Sequence, residues 1–229
     1  MTLINDYLTT TNYTKRSDKK NLYIVIHYVG AVSTALNNAK YFYSTHRGAS
    51  AHYFVDDNSI YRVVQDKDNA WHVGASKYYN SCRNNNSIGI EMCCKKDKNG
   101  KLYMTDKTIQ NTIELTKELM KKYNIDVDHV VRHYDVTRKN CPAPFVKDES
   151  KWLDFKNKLT VQEFKPYLVK VTTEVLNVRA GAGTNYKINT SIKKNEVYTI
   201  VDEKLNGSTL WGKLKSGAGW ISLKYTNKV

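Results

Sequence analysis

The sequence is poor in the residues that mark several protein classes. Three prolines and eleven glycines in 229 residues exclude collagen-like and proline-rich architectures. The four cysteines, Cys82, Cys93, Cys94 and Cys141, form no C-x-x-C pair, so neither a disulfide framework nor a zinc-finger pattern is indicated. No apolar run reaches the roughly 18–20 residues that a membrane helix needs. The longest, Leu22 to Val32, is interrupted by His27 and two tyrosines, and stable membrane insertion is not expected. The start, MTLINDYLTTTN, lacks a basic region and an apolar segment, so no secretory signal is read and residence in the cytoplasm of the producing cell is expected.

Acidic residues are also scarce: 36 Lys and Arg face 22 Asp and Glu, a net charge of +14. Residues 1–160 carry 25 basic against 17 acidic side chains, and residues 161–229 carry 11 against 5. The excess is therefore spread over the chain and suits a polyanionic partner. No Arg-rich run or aromatic single-strand platform accompanies it, which argues against nucleic acid. What is abundant is ordinary globular material, 41% hydrophobic and 25% charged, which excludes disorder. Tyrosine is over-represented, 17 against 5 Phe, and its apolar ring with a polar tip suits sheet surfaces and polar grooves.

Periodicity divides the chain in two. Leu22–Tyr28 reads as a buried strand, and a helix is expected around Thr34–Thr45. His52–Asp56 and Ser59–Gln65 read as a hairpin turning at Asp57-Asn58. Ser87–Cys94 is a second buried strand, with Ile88, Ile90, Met92 and Cys94 on one face and Gly89, Glu91 and Cys93 on the other. Asp106–Tyr123 carries a broad apolar stripe at helical spacing, capped by Thr105 or Asp106 and ended by Asn124. Val127–His133 is expected as a strand. This order predicts an α/β domain built on a mixed β-sheet flanked by helices, over residues 1–160. Beyond Lys158 the periodicity predicts a small all-β barrel over residues 166–229, after a linker at Thr160–Pro166.

Three groups carry chemical interest. An ionised Glu91 inside so apolar a strand costs several kcal/mol to bury unless it is partnered or the second face is wet. His27 ends a buried strand, where a hydrogen-bonded core histidine is the commoner reading. His133 and Cys141 are separated by a loop stiffened by Pro142 and Pro144. Two imidazoles and a thiolate would leave a fourth tetrahedral position open, as in catalytic zinc sites. His129 stands four residues before His133, about 13 Å along a strand, too far to share an ion. His46 is expected at the surface and His52 in a structural role.

The segments IVIHYVG, SAHYFVDD, AWHVG, NSIGIEMC and VRHYDVTRKNCPAP occur in this order. Over roughly residues 15–155 they resemble the zinc-dependent N-acetylmuramoyl-L-alanine amidases, relatives of the peptidoglycan recognition proteins. The resemblance implies that His27, His133 and Cys141 bind Zn2+ and that Glu91 is the catalytic acid/base. Lys139 falls where some relatives place a lysine against the scissile carbonyl, and a solvated surface lysine is the other reading. Trp71 and His72 match a turn that lines the substrate groove. Tyr53 is not assigned a role, because the order His52-Tyr53 is reversed from that of the relatives.

LNVRAGAGTNYKI, NEVYTIVDE and LWGKLKSGAGWISLKY resemble bacterial SH3-like wall-binding domains. Trp211, Trp220 and Tyr225 fit either a ligand groove or the barrel core. The combined expectation is a phage or prophage endolysin, held in the host cytoplasm until lysis and cutting the amide between N-acetylmuramic acid and L-alanine. Its partners would be the peptidoglycan of a Gram-positive wall and anionic wall polymers. The alternatives are a bacterial autolysin and a non-catalytic recognition protein, the latter disfavoured because non-catalytic relatives lack the cysteine ligand.

Overall fold

The computed structural model describes residues 3–16, 20–160 and 164–229. The chain divides into two compact units, Met1–Val161 and Gln162–Val229, each with its own apolar core.

The first unit holds strands β1 (Ile4–Asp6), β2 (Tyr23–Val32), β3 (Tyr53–Val55), β4 (Ile60–Arg62), β5 (Ser87–Lys96), β6 (Leu102–Tyr103) and β7 (Val130–Arg132). They form one mixed sheet in the order β1-β4-β3-β5-β2-β7, with β6 on the end of β5. The central strands β3, β5, β2 and β7 are mutually parallel, and such strands are buried on both faces. On one face Ile88, Ile90, Met92 and Cys94 pack with Ile24 and Ile26 under helix α2 (Asp106–Tyr123). On the other, Cys93 and Phe54 pack against α1 (Ala35–Tyr43). Thr105 caps α2, and Asn124 closes it at φ +52°.

Between β3 and β4 the chain turns on Asp56, whose Oδ1 accepts the amides of Asn58 and Ser59. Asn12, fully buried, donates to the carbonyls of Phe42 and Thr45 and accepts the Arg47 amide. It thereby ties the N-terminal segment to the exit of α1.

The structure corrects the sequence reading at the C-terminal end of this unit. Val127–His129 is a turn of 3-10 helix capped by Asp126, and the strand is only Val130–Arg132. His133 does not end a strand: it opens a short helix, α3 (His133–Thr137). The Asp126 carboxylate accepts the His129 amide and starts the turn that the β-branched run concealed. Two helices that the periodicity did not predict follow, α4 (Ala143–Lys147) and α5 (Glu149–Thr160). Phe145, Trp152 and Phe155 of these helices complete the core beneath α2.

The second unit contains β8 (Tyr167–Val171), β9 (Val175–Arg179), β10 (Ile188–Lys193), β11 (Val197–Asn206), β12 (Thr209–Leu214), β13 (Trp220–Ser222) and β14 (Thr226–Lys228). They form an antiparallel sheet in the order β10-β9-β13-β12-β11-β8-β14. Alternate residues Val169, Val171, Leu176, Val178, Ile200, Leu214 and Ile221 make its core. The expected linker at Thr160–Pro166 falls partly on residues 161–163, outside the described residues. Among the described residues, no helix is long and apolar enough to cross a membrane.

Candidate metal centre and active site

Sheet register brings the chemistry together. His27 of β2 pairs in parallel register with Glu91 of β5, and Ile26 pairs with Arg132 of β7, so His133 emerges beside His27. The start of α3 is fixed by Arg132, whose guanidinium grips Asp135 through Nε and Nη2 and reaches Glu149 and the Phe145 carbonyl through Nη1. Arg138, at φ +67°, ends α3 and sends the chain back toward the sheet. The Tyr134 amide then donates to the Cys141 carbonyl at 2.9 Å, fastening the cysteine loop to the helix that carries His133.

His27 Nδ1 lies 3.1 Å from His133 Nδ1 and 3.7 Å from Cys141 Sγ. All three side chains are buried, and their ligand atoms lie within 4.8 Å of one another. Tetrahedral bonds of ordinary zinc–nitrogen and zinc–sulfur length place such donors about 3.3–3.6 Å apart, so the donor set fits zinc. The protonation states fit too. Burial lowers His27 far below the usual imidazole range and, with Lys139 nearby, brings His133 to about 4, which keeps both rings in the neutral, ligating form. Burial, reinforced by Glu91, pushes the Cys141 thiol up to about 12; a coordinated cation is what deprotonates such a thiol.

Glu91 Oε1 stands 4.0 Å from His27 Nδ1. Its other oxygen, Oε2, is buried with no hydrogen-bond partner among the described residues. Burial pushes this carboxyl up to about 7 against the opposing pull of the Lys139 ammonium, the range that suits a group that takes and returns protons. These side chains line a cleft of about 330 Å³ that also exposes Trp71, Lys139 and Gly30. Gly30, at φ +71°, breaks the register of β2 between Tyr28 and Val32 and opens the strand into the cleft. A larger cleft of about 720 Å³ between α2 and α5 has no His or Cys in its lining.

Sequence reasoning placed His27, Glu91, His133, Cys141, Lys139, Trp71 and His72 around one site, and the structure brings all seven to the same cleft. Lys139 is exposed at its rim. His72 is buried beneath it with both ring nitrogens engaged, Nδ1 by His27 and Nε2 by Ser87. The set-aside histidines do not line the cleft. His129 bonds Asp126, and His46 is exposed against the Trp71 ring. His52 is locked between the Gly89 amide and the Asp68 carbonyl. Tyr53 is buried on the core face and donates to Asp66. Sequence reasoning missed the Arg132–Asp135 clamp; the R-x-x-D spacing was its only signal.

A helix-flanked mixed sheet carries a buried His/His/Cys donor set that could hold a metal ion, beside a part-buried carboxylate. The N-acetylmuramoyl-L-alanine amidase family model matches residues 17–144, and the chain belongs to that family. It is 34% identical over 175 residues to the N-acetylmuramoyl-L-alanine amidase CwlL of Bacillus licheniformis, covering 72% of this chain and 48% of that protein. It is 33% identical over 172 residues to BlyA of Bacillus subtilis, covering 68% and 46% respectively. The chain thus spans about half the length of these relatives. Among solved structures, a mutant endolysin from Bacillus subtilis superposes with a TM-score of 0.57 at 28% identity, covering 69% of this chain and 99% of that one.

Proposed function

We propose that the chain is a zinc-dependent peptidoglycan hydrolase that cuts the amide joining N-acetylmuramic acid to L-alanine of the stem peptide. The observation that carries this reading is the convergence of His27, His133 and Cys141 beside Glu91, whose Oε2 is buried with no hydrogen-bond partner among the described residues. When held by these three side chains, zinc supplies Lewis-acid polarisation of a water and of the scissile carbonyl. Glu91 accepts the proton of the attacking water and returns it to the leaving nitrogen. Lys139, at the rim, adds positive charge where the amide oxygen becomes negative. Trp71 offers the cleft an apolar wall suited to the face of a sugar ring.

The second unit is assigned to wall attachment through an SH3-like barrel. Supporting this is a cleft of about 490 Å³ with Trp211, Tyr225, Arg179 and Lys224 in its lining and no carboxylate, which suits an acidic glycopeptide. The net positive charge of both parts suits a Gram-positive wall rich in anionic polymers. The role proposed is that of a phage or prophage endolysin, with a bacterial autolysin as the alternative. The test is product analysis on purified walls. Free L-alanine amino termini without new reducing sugar ends are expected; reducing ends, or binding without any cleavage, would overturn the amidase reading.

A further inference from the structure

Behind His27 lies a chain of polar contacts that the proposed reaction does not use. Ser87 Oγ donates to the Arg83 carbonyl at 2.6 Å and lies 3.2 Å from His72 Nε2. His72 Nδ1 in turn lies 3.0 Å from His27 Nε2. A hydroxyl has one proton, and the Arg83 carbonyl can only accept. The Ser87 proton is therefore committed, and Ser87 must accept from His72 Nε2–H. A neutral His72 then has a bare Nδ1, which accepts from His27 Nε2–H. The only nitrogen of His27 left without a proton is Nδ1, the one facing His133 and Cys141.

The surroundings hold His72 in this place. Both its own amide and that of Val73 donate to Asn84 Oδ1, at 3.0 and 2.8 Å. The ring lies against the backbone of β5 at Gly89, where an added Cβ would come within 2.7 Å of Cγ and Nδ1 of His72. Glycine there gives the imidazole its room. Gly89 is also held by His52, whose Nδ1 accepts its amide at 3.0 Å and whose ring packs against that of His72.

We infer that His72 is a positioning residue that fixes the tautomer and orientation of His27, through a relay from the Arg83 carbonyl by way of Ser87, so that Nδ1 is presented bare to a metal ion. This rests on the reading of His27, His133 and Cys141 as metal ligands. Hydrogen-bond partners behind ligating histidines fix the tautomer in this way, and their loss costs roughly 10–100-fold in metal affinity. The relay also rules His72 out as an alternative base, because neither ring nitrogen is free to take a proton from substrate.

The first test uses the metal-free wild-type chain with 15N-labelled histidine. Long-range 15N spectra should show His27 and His72 both as Nε2–H tautomers; a His27 carrying its proton on Nδ1 overturns the relay. The second measures zinc affinity of the full chain by competition with a chelator. His72→Leu should weaken zinc binding about 10–100-fold, and His72→Asn, whose Oδ1 can stand near the lost Nδ1, should recover most of it. Gly89→Ala keeps every nitrogen but displaces the ring, and should weaken binding as His72→Leu does. It also serves if His72→Leu does not fold. Unchanged affinity in folded His72→Leu or Gly89→Ala overturns the relay alone, whereas a wild type that binds no zinc overturns the metal centre beneath it.

Discussion

His27 and Glu91 face each other across two parallel strands, paired in register with Nδ1 4.0 Å from Oε1. The carboxylate is close enough to share a small reaction space with a metal on Nδ1, yet it is not among the atoms that converge as a ligand set. Ligation and proton transfer are therefore separable by mutation.

Replacing His27, His133 or Cys141 with alanine should lower zinc content and abolish wall lysis. Exhaustive chelation should inactivate the wild type, and added zinc should restore it. Elemental analysis and a wall-turbidity assay read the two effects. Full activity after complete metal removal would end the zinc reading.

Glu91→Gln keeps the side-chain shape but removes the proton acceptor. Activity should fall by about 10²–10⁴-fold, the usual contribution of a general acid/base, while zinc stays near one per chain. Loss of zinc together with activity would show that Glu91 acts as a ligand instead.

The two cores share no residue, so residues 1–160 and 166–229 should each fold alone. The first fragment should keep amide cleavage but bind walls less well, and the second should sediment with walls without lysing them. Folded 166–229 that ignores intact walls would sink the attachment role.

Asp57 gives a pH-dependent term in stability. Burial alone would raise its pKa, but the bonds from Lys95, Thr105 and Thr108 outweigh it and bring the carboxyl down to about 2. A depressed acid stabilises the fold above its unfolded pKa of about 3.9 and loses that contribution as pH falls through the folded value. Stability should therefore drop between about pH 4 and pH 2; the full shift would be worth about 2.6 kcal/mol, and solvent screening of the exposed Lys95 partner reduces this to about 1–2 kcal/mol. Asp57→Asn should cost about that much at neutral pH and flatten the acid limb of denaturant midpoints measured against pH.

Much of the first unit was legible because its strands are apolar and its main helix strongly periodic. The stripe of Ile109, Ile113, Leu115 and Leu119 announced α2, and Ile88, Ile90 and Met92 announced the core face of β5. Three regions were not legible, each for a local reason. The strand β1 has three residues and is specified by its parallel pairing with β4, a contact over 50 residues away in sequence. In α5 the apolar positions Trp152, Phe155 and Leu159 are separated by lysines and acids, leaving a narrow stripe. At His133 the β-branched Val130-Val131 suggested a strand, but the Arg132–Asp135 clamp starts a helix. For the site, residue types and motif order pointed to His27, His133, Cys141 and Glu91, which the structure brings to one cleft. The engagement of His72 with His27 required coordinates, since no spacing along the chain encodes a contact between Trp71-His72 and β2.

His27 and Glu91 are borne by neighbouring strands locked in one register, and His133 leaves the next strand directly, whereas Trp71, Lys139 and Asn140 stand on connections between elements. The His27–Glu91 part of the cleft is therefore as stiff as the sheet itself, whereas Trp71 and Asn140 stand on segments that strand pairing does not hold. Under the proposed reaction, changes of preference for one stem peptide over another would accumulate around Trp71 and Asn140 while the His27–Glu91 register stays untouched, which makes that part of the cleft rim the place to redesign substrate choice.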